Sequence, residues 1–173
     1  MNKRVFSVIL IFIGLFLAVW ISLRMNQPTI EAQKKLLENA ALLLVDGDQE
    51  FVININDLKG IGEEVFEAVL DTSSTDPSLH TYHGVQLKNI LTRYQIALED
   101  KAVLILSGAD SYAVAYGLEE VLADQNVYIA FMEDGNYLGS KENGGRGPYE
   151  SIVVSDPFSN RRCKWLTKVE VRR

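Results

Sequence analysis

The sequence predicts one α+β domain, rich in β-structure, behind a single N-terminal transmembrane helix. Three observations predict it. An uncharged apolar run lies near the start, a series of short alternating or wholly apolar segments follows, and helical spacing recurs in only a few places between them.

The run from Val5 to Leu23 reads VFSVILIFIGLFLAVWISL and carries no charge. At about 1.5 Å of rise per helical residue it can cross most of a roughly 30 Å hydrocarbon core. A secretory signal peptide has a shorter apolar stretch and a small-residue cleavage site. Here the run leaves through Ser22-Leu23-Arg24-Met25-Asn26, and no cysteine follows it to carry a lipid. The expectation is an uncleaved signal anchor over residues 1–26. Lys3 and Arg4 favour a cytoplasmic N-terminus, so residues 5–23 would hold the rest of the chain on the extracytoplasmic side of the cell membrane.

Gln27-Pro28-Thr29 is expected to break that helix, with Thr29 or a neighbour capping a second one through Ile30, Leu36, Leu37 and Ala40. This gives a helical stalk over 27–41 and a domain over 42–173. Within the domain, Val45-Asp46-Gly47-Asp48 has turn chemistry and Glu50 to Ile55 alternates as a half-buried strand. Asn56 reads as the N-cap of a short helix stopped by Gly60 and Gly62, while Glu64 to Leu70 fits neither period and stays open between strand and helix. Thr72 to Pro77 reads as a polar loop leading to His80 and His83.

Leu87, Ile90, Leu91 and Tyr94 share a helix face. Strands are expected at Val103 to Leu106, Tyr112 to Tyr116, Val127 to Met132, Ile152 to Val154 and Leu166 to Val171, with a helical turn at Leu118 to Leu122. Turns fall at 108–111 and 134–136, and 139–148 (GSKENGGRGP) is a loop.

Charge is distributed unevenly. Residues 28–140 hold six Lys/Arg against nineteen Asp/Glu, whereas 141–173 hold eight against four. So acidic a body lacks the dominant basic face that nucleic acid requires. It leaves room for a small anion bound locally by the C-terminal segment. The lone Cys163 cannot form an internal disulfide. His80 and His83 have no further Cys or His beside them to complete a metal site. Gly144-Gly145-Arg146-Gly147 could turn backbone N–H groups toward an anion, but lacks the strand and GK[ST] ending of a P-loop.

Ser159 to Leu166 (SNRRCKWL) mixes charged and apolar residues on both faces of any ideal strand. Two readings are open: a strand end that meets a phosphate through Arg161 and Lys164, or an edge strand guarded by cations. For Arg161 and Lys164 to converge, the chain must turn or bulge near Arg162, and the regular strand must start around Lys164.

The order of segments resembles the molybdopterin-binding domain of the sulfite oxidase family, which includes the periplasmic methionine sulfoxide reductase catalytic subunits. The matching pieces are Asn56-Asp57-Leu58-Lys59, His83-Gly84-Val85-Gln86-Leu87 with Ile90-Leu91, Ser107 to Tyr112, Pro148 to Val154 entered through Gly147, and Arg161 to Val169. The resemblance implies a sulfite-oxidase-like α+β fold and molybdenum on a pterin dithiolene. It puts Arg161 and Lys164, and with them Arg146, at the pterin phosphate.

Two departures stand against an active oxidoreductase of that kind. The family's cysteine ligand would fall near Leu70 to Thr72, where there is no cysteine, and Asp71 or Thr72 does not replace a thiolate. Cys163 lies in the wrong segment. Glu150 follows Pro148 where the family carries an arginine, and would repel a phosphate. No catalytic residue and no metal ligand is therefore assigned. What remains is a membrane-anchored, extracytoplasmic molybdopterin-binding-like domain with a membrane redox partner, or a cofactor-free binding or assembly module of the same fold.

Overall fold

The computed structural model describes residues 3–72 and 75–173, with side chains for 11–21, 30–72 and 76–173. The chain divides into two compact units, Met1–Ala32 and Gln33–Arg173. Helix α1 (Lys3–Glu38) runs through residue 28 without the expected break. Of the predicted membrane span, the side chains at 5–10 and 22–23 lie outside the described residues, and those at 11–21 are exposed. Among the described residues no helix is long and apolar enough to cross a membrane. Residues 11–21 alone make about 16 Å of helix, half a hydrocarbon core.

The second unit is built on two sheets. Strands β1 (Leu42–Asp46), β2 (Gln49–Ile53), β5 (Val103–Gly108), β6 (Ala113–Gly117) and β10 (Leu166–Arg172) form one, in the order β2-β1-β10-β5-β6. β1 and β10 are parallel and the other neighbours antiparallel. Strands β3 (Glu64–Thr72), β4 (Thr75–Gln86), β7 (Val127–Glu133) and β8 (Asn136–Tyr137) form the second, and β9 (Glu150–Val153) pairs with the first half of β7. Helices α2 (Ile55–Gly62), α3 (Leu87–Arg93) and α4 (Leu118–Leu122) complete the unit. The expected mixed α+β, β-rich character is borne out.

Alternation explains how the second sheet can be covered on both faces. Val127, Ile129 and Phe131 of β7 join the main core, which also takes Leu42 and Leu44 of β1, Leu58 of α2, Ile90 of α3, Leu106 of β5 and Val169 of β10. The intervening Tyr128 and Ala130 face a smaller cluster with Phe66, Tyr82 and Ile152. A strand buried on both faces reads as a continuous apolar run, which is how β7 appears in the sequence. β4 bulges between His83 and Gly84. A Cβ at residue 84 would lie 2.7 Å from the Ile129 carbonyl oxygen, so only glycine lets the two strands close there.

Three expectations change. The short helix is capped by Asn54, not Asn56. The Asn54 side-chain oxygen accepts from the N–H groups of Asn56 (2.8 Å) and Asp57 (3.1 Å), and the Asp57 carboxylate accepts from the Asn54 N–H (3.2 Å). The segment around Pro77 is strand, not loop, so His80 and His83 sit in β4. β10 is central, between β1 and β5, which removes the edge-strand reading of the segment that leads into it.

Because residues 33–173 contain this whole core, a chain lacking 1–32 is expected to unfold cooperatively on heating. A broad, non-cooperative melt of that truncation would show that the removed residues support the core.

Candidate functional site

The site is organised by an irregular stretch between a 3-10 turn at Ser159–Arg161 and the start of β10. The Arg162 N–H closes the turn on Ser159 O (3.3 Å). Three backbone bonds then stitch the chain to the segment entering β9: Ser151 N–H to Cys163 O (3.0 Å), Trp165 N–H to Arg146 O (2.8 Å) and Leu166 N–H to Tyr149 O (2.8 Å). The Cys163 N–H donates to Ser151 Oγ (3.0 Å). Trp165 takes a left-handed backbone (φ 49°), and its indole N–H donates to Gly145 O (2.8 Å). The expected irregularity near Arg162 is present, and the regular strand begins at Leu166.

Beside this stretch lies a cleft of about 410 Å³. Its walls are Asp71 and Thr72 at the end of β3, Asp110 and Tyr112 from the β5–β6 turn, and Ser159, Asn160, Arg162, Lys164 and Trp165. Side-chain bonds set the walls. Ser159 Oγ accepts from the Asp71 N–H (2.9 Å), and the Tyr112 hydroxyl donates to Asn160 O (2.9 Å). The turn approaches Lys164 so closely that a Cβ at Gly108 would lie 2.5 Å from the Lys164 carbonyl oxygen. A second cleft, of about 480 Å³, shares Lys164 and is bordered by Arg146, Glu133 and Asp134.

Of the three predicted anion-site residues, Arg146 and Lys164 border the second cleft together and Arg161 stands apart. Arg161 is held by two carboxylates: its Nε and Nη2 donate to Asp156 (2.9 and 2.5 Å), and its Nη1 and Nη2 to Glu120 (3.2 and 2.5 Å). These bonds raise its already high pKa further. It borders neither cleft. Arg146 pairs with Glu133 and Glu150. Lys164 lines both clefts, and among the described residues its ammonium has no ion pair and no hydrogen bond. Lys88, Lys101, Arg146, Arg161 and Lys168, also half-buried, each have a carboxylate partner.

The cation that sequence reasoning missed is Arg162. It is 7% exposed, donating from Nη1 to the Tyr82 hydroxyl (2.9 Å) and from Nη2 to Val69 O (2.6 Å). Tyr82 in turn donates to Glu133 Oε1 (2.7 Å). Beneath the clefts lies Glu150, wholly buried. Arg146 Nε stands 3.2 Å from its Oε2, near enough for an ion pair but not aligned for a hydrogen bond, so both carboxylate oxygens lack one. Burial pushes this carboxyl above its ordinary range, against the pull of Arg146, Arg162 and Lys164.

The glycine loop offers an anion no free backbone donors. Gly144, Gly145, Arg146 and Gly147 N–H groups bond to Lys141, Ser140, Leu138 and Gly139 carbonyls. His80 Nδ1 lies 2.6 Å from Asp134, and His83 Nδ1 2.9 Å from Glu63.

The residues present do not fit a molybdenum ligated by the protein. Asp71 and Thr72 occupy the cleft wall where the family's cysteine was expected. Cys163 is fully buried, its sulfur 4.0 Å from Tyr112 O and its thiol pushed up to about 12 by burial and by Asp110. It stays protonated and cannot reach a ligand in the cleft. Among the described residues no group of three His, Cys, Asp or Glu side chains could hold a metal ion. What the cleft retains is a cation, Lys164, suited to an anionic group.

In structure, the chain is similar to the sulfane dehydrogenase SoxCD from Paracoccus pantotrophus, with a TM-score of 0.64 over 78% of this chain. The two share a fold. At 19% identity the likeness extends to the fold alone, and this chain covers 38% of the length of that one. No family model matches the chain, and no curated protein matches it in sequence.

Glu150→Gln tests the buried carboxyl. A raised native pKa contributes stability that is complete below the unfolded value, near 4.5, and is lost as pH rises through the native one. The variant does not titrate there, so its Tm should gain on the wild type as pH is raised from 4 toward 8. A Tm difference that stays constant across that range would show that Glu150 titrates alike folded and unfolded.

Proposed function

We propose that this chain is a membrane-anchored, extracytoplasmic ligand-binding module on a sulfite-oxidase-like fold, which holds an anionic small molecule at Lys164 and forms no bond between protein and metal. The observation that carries it is the unpaired, half-buried ammonium of Lys164 in a cleft whose other cations are already engaged. Support for the fold comes from the order of segments in the sequence and from the fold shared with a dehydrogenase. Support for the anchor is the uncharged run Val5 to Leu23 behind Lys3 and Arg4.

Molybdopterin, the ligand that the resemblance names, would be held here by its phosphate, through Lys164. Its dithiolene metal would find no thiolate on the protein. Binding would therefore be loose and the metal exchangeable, which favours a binding or assembly role over turnover.

Full-length protein purified from a host that makes the cofactor should carry molybdenum well below one atom per chain. Stoichiometric molybdenum that survives gel filtration would overturn the reading. Charge-assisted hydrogen bonds to a phosphate are worth about 1.5 to 3 kcal/mol, so Lys164→Ala should weaken phosphate binding at low salt about ten- to a hundredfold. Topology is tested separately: protease added outside intact cells should remove the domain, and full protection would place it on the other side.

A further inference from the structure

The charges around the 410 Å³ cleft say more about its occupant than that it is an anion. The neighbouring guanidinium groups are already engaged. Arg146 faces Glu133 and Glu150, and Arg162 reaches Glu133 through the Tyr82 hydroxyl. Each guanidinium thus reaches a carboxylate, directly or through a hydroxyl, and Lys164 is left as the one cation of this cluster with neither an ion pair nor a hydrogen bond.

The same cleft also carries negative charge. Asp71 and Asp110 both border the cleft, and among the described residues neither has an ion-pair partner. Asp110 Oδ1 accepts only from the Tyr112 N–H (3.1 Å), a bond that leaves its charge uncompensated. A dianionic phosphate in this space would gain from one ammonium and be opposed by two carboxylates. A ligand with an anionic end and a cationic end satisfies both kinds of charge in the lining.

Size and surface agree. A cleft of about 410 Å³ sits at the small end of ligand sites. The lining also holds two aromatic residues, Tyr112, 40% exposed, and Trp165, whose ring is fixed by its bond to Gly145 O and by Lys141 Nζ 4.6 Å from its centroid. Such rings hold apolar side chains and the flank of an ammonium.

Resting on the ligand-binding reading above, we propose that the cleft takes a small zwitterion of the amino-acid or short-peptide class, its carboxylate on Lys164 and its ammonium on Asp71 and Asp110. The structural alternative is that both aspartates are simply hydrated and play no part in recognition.

The test is calorimetric titration of the full-length chain in detergent micelles with a neutral dipeptide, with its N-acetylated form and with its C-terminal amide. The free dipeptide should bind, and each blocked form should bind at least tenfold more weakly. Asp71→Asn with Asp110→Asn should abolish the penalty for N-acetylation and leave that for amidation, and Lys164→Ala should do the reverse. If the N-acetylated form binds as well as the free dipeptide and Lys164→Ala weakens both, the zwitterion is ruled out while the anion site stands. If the dipeptide does not bind at millimolar concentration the inference falls. The fate of the anion reading is then read from inorganic phosphate, whose Lys164-dependent binding would keep it and whose indifference to Lys164→Ala would end it.

Discussion

The arrangement depends on the seam between residues 145–151 and 162–166. β9 belongs to one sheet and β10 to the other, and the backbone bonds at Arg146, Tyr149 and Ser151 join the chain entering the first to the chain entering the second. Both oxygen and N–H of Ser151 take part, the hydroxyl also meeting the Tyr116 hydroxyl at 2.8 Å. Burial raises the Tyr116 pKa well above its ordinary value, so this phenol keeps its proton and goes on donating to Arg161 O. A seam of this kind fixes the position of Lys164 without any contact to its ammonium. The ammonium is free to serve a ligand because the main chain carries the structural work.

Electrostatics follows from the same geometry. Placing Glu150 at the start of β9 puts a carboxylate beneath three cations, where desolvation disfavours its charge and the cations favour it. Resemblance to the sulfite oxidase family suggested a repulsive Glu150 beside the ligand. The structure buries it completely, so it acts on the cleft through Arg146, Arg162 and Lys164 and lowers the positive charge they present. Arg161 is engaged by Glu120 and Asp156 and lines neither cleft.

Local signals made much of the fold legible. β7 was readable because a strand covered on both faces needs no polar positions, and α3 because Leu87, Ile90 and Leu91 repeat at helical spacing. β1 was not, since Leu42-Leu43-Leu44 follows Ala40-Ala41 and continues a helical composition. What makes it a strand is parallel pairing with residues 168–171, over a hundred positions away. The misplaced cap has a similar cause: Asn54 and Asn56 are equally good caps in isolation, and Asp57 at the third helical position decides for Asn54. In the site, the charge asymmetry and irregular backbone pointed to 161–165. Asp156, one partner of Arg161, lies five residues away, but Glu120, its other partner, and Tyr82 of β4, against which Arg162 is buried, are far off in sequence and leave no mark near these arginines.

Cys163 has a use that its chemistry in the cleft does not. It is the one thiol of the chain, fully buried, with a pKa of about 12 that suppresses the reactive thiolate. A sulfhydryl reagent can reach it only when the seam opens, so its modification rate clocks that opening in the untouched native sequence. Run with and without a cleft ligand, the same clock would report whether occupancy at Lys164, the adjoining residue, is transmitted to the joint between the sheets.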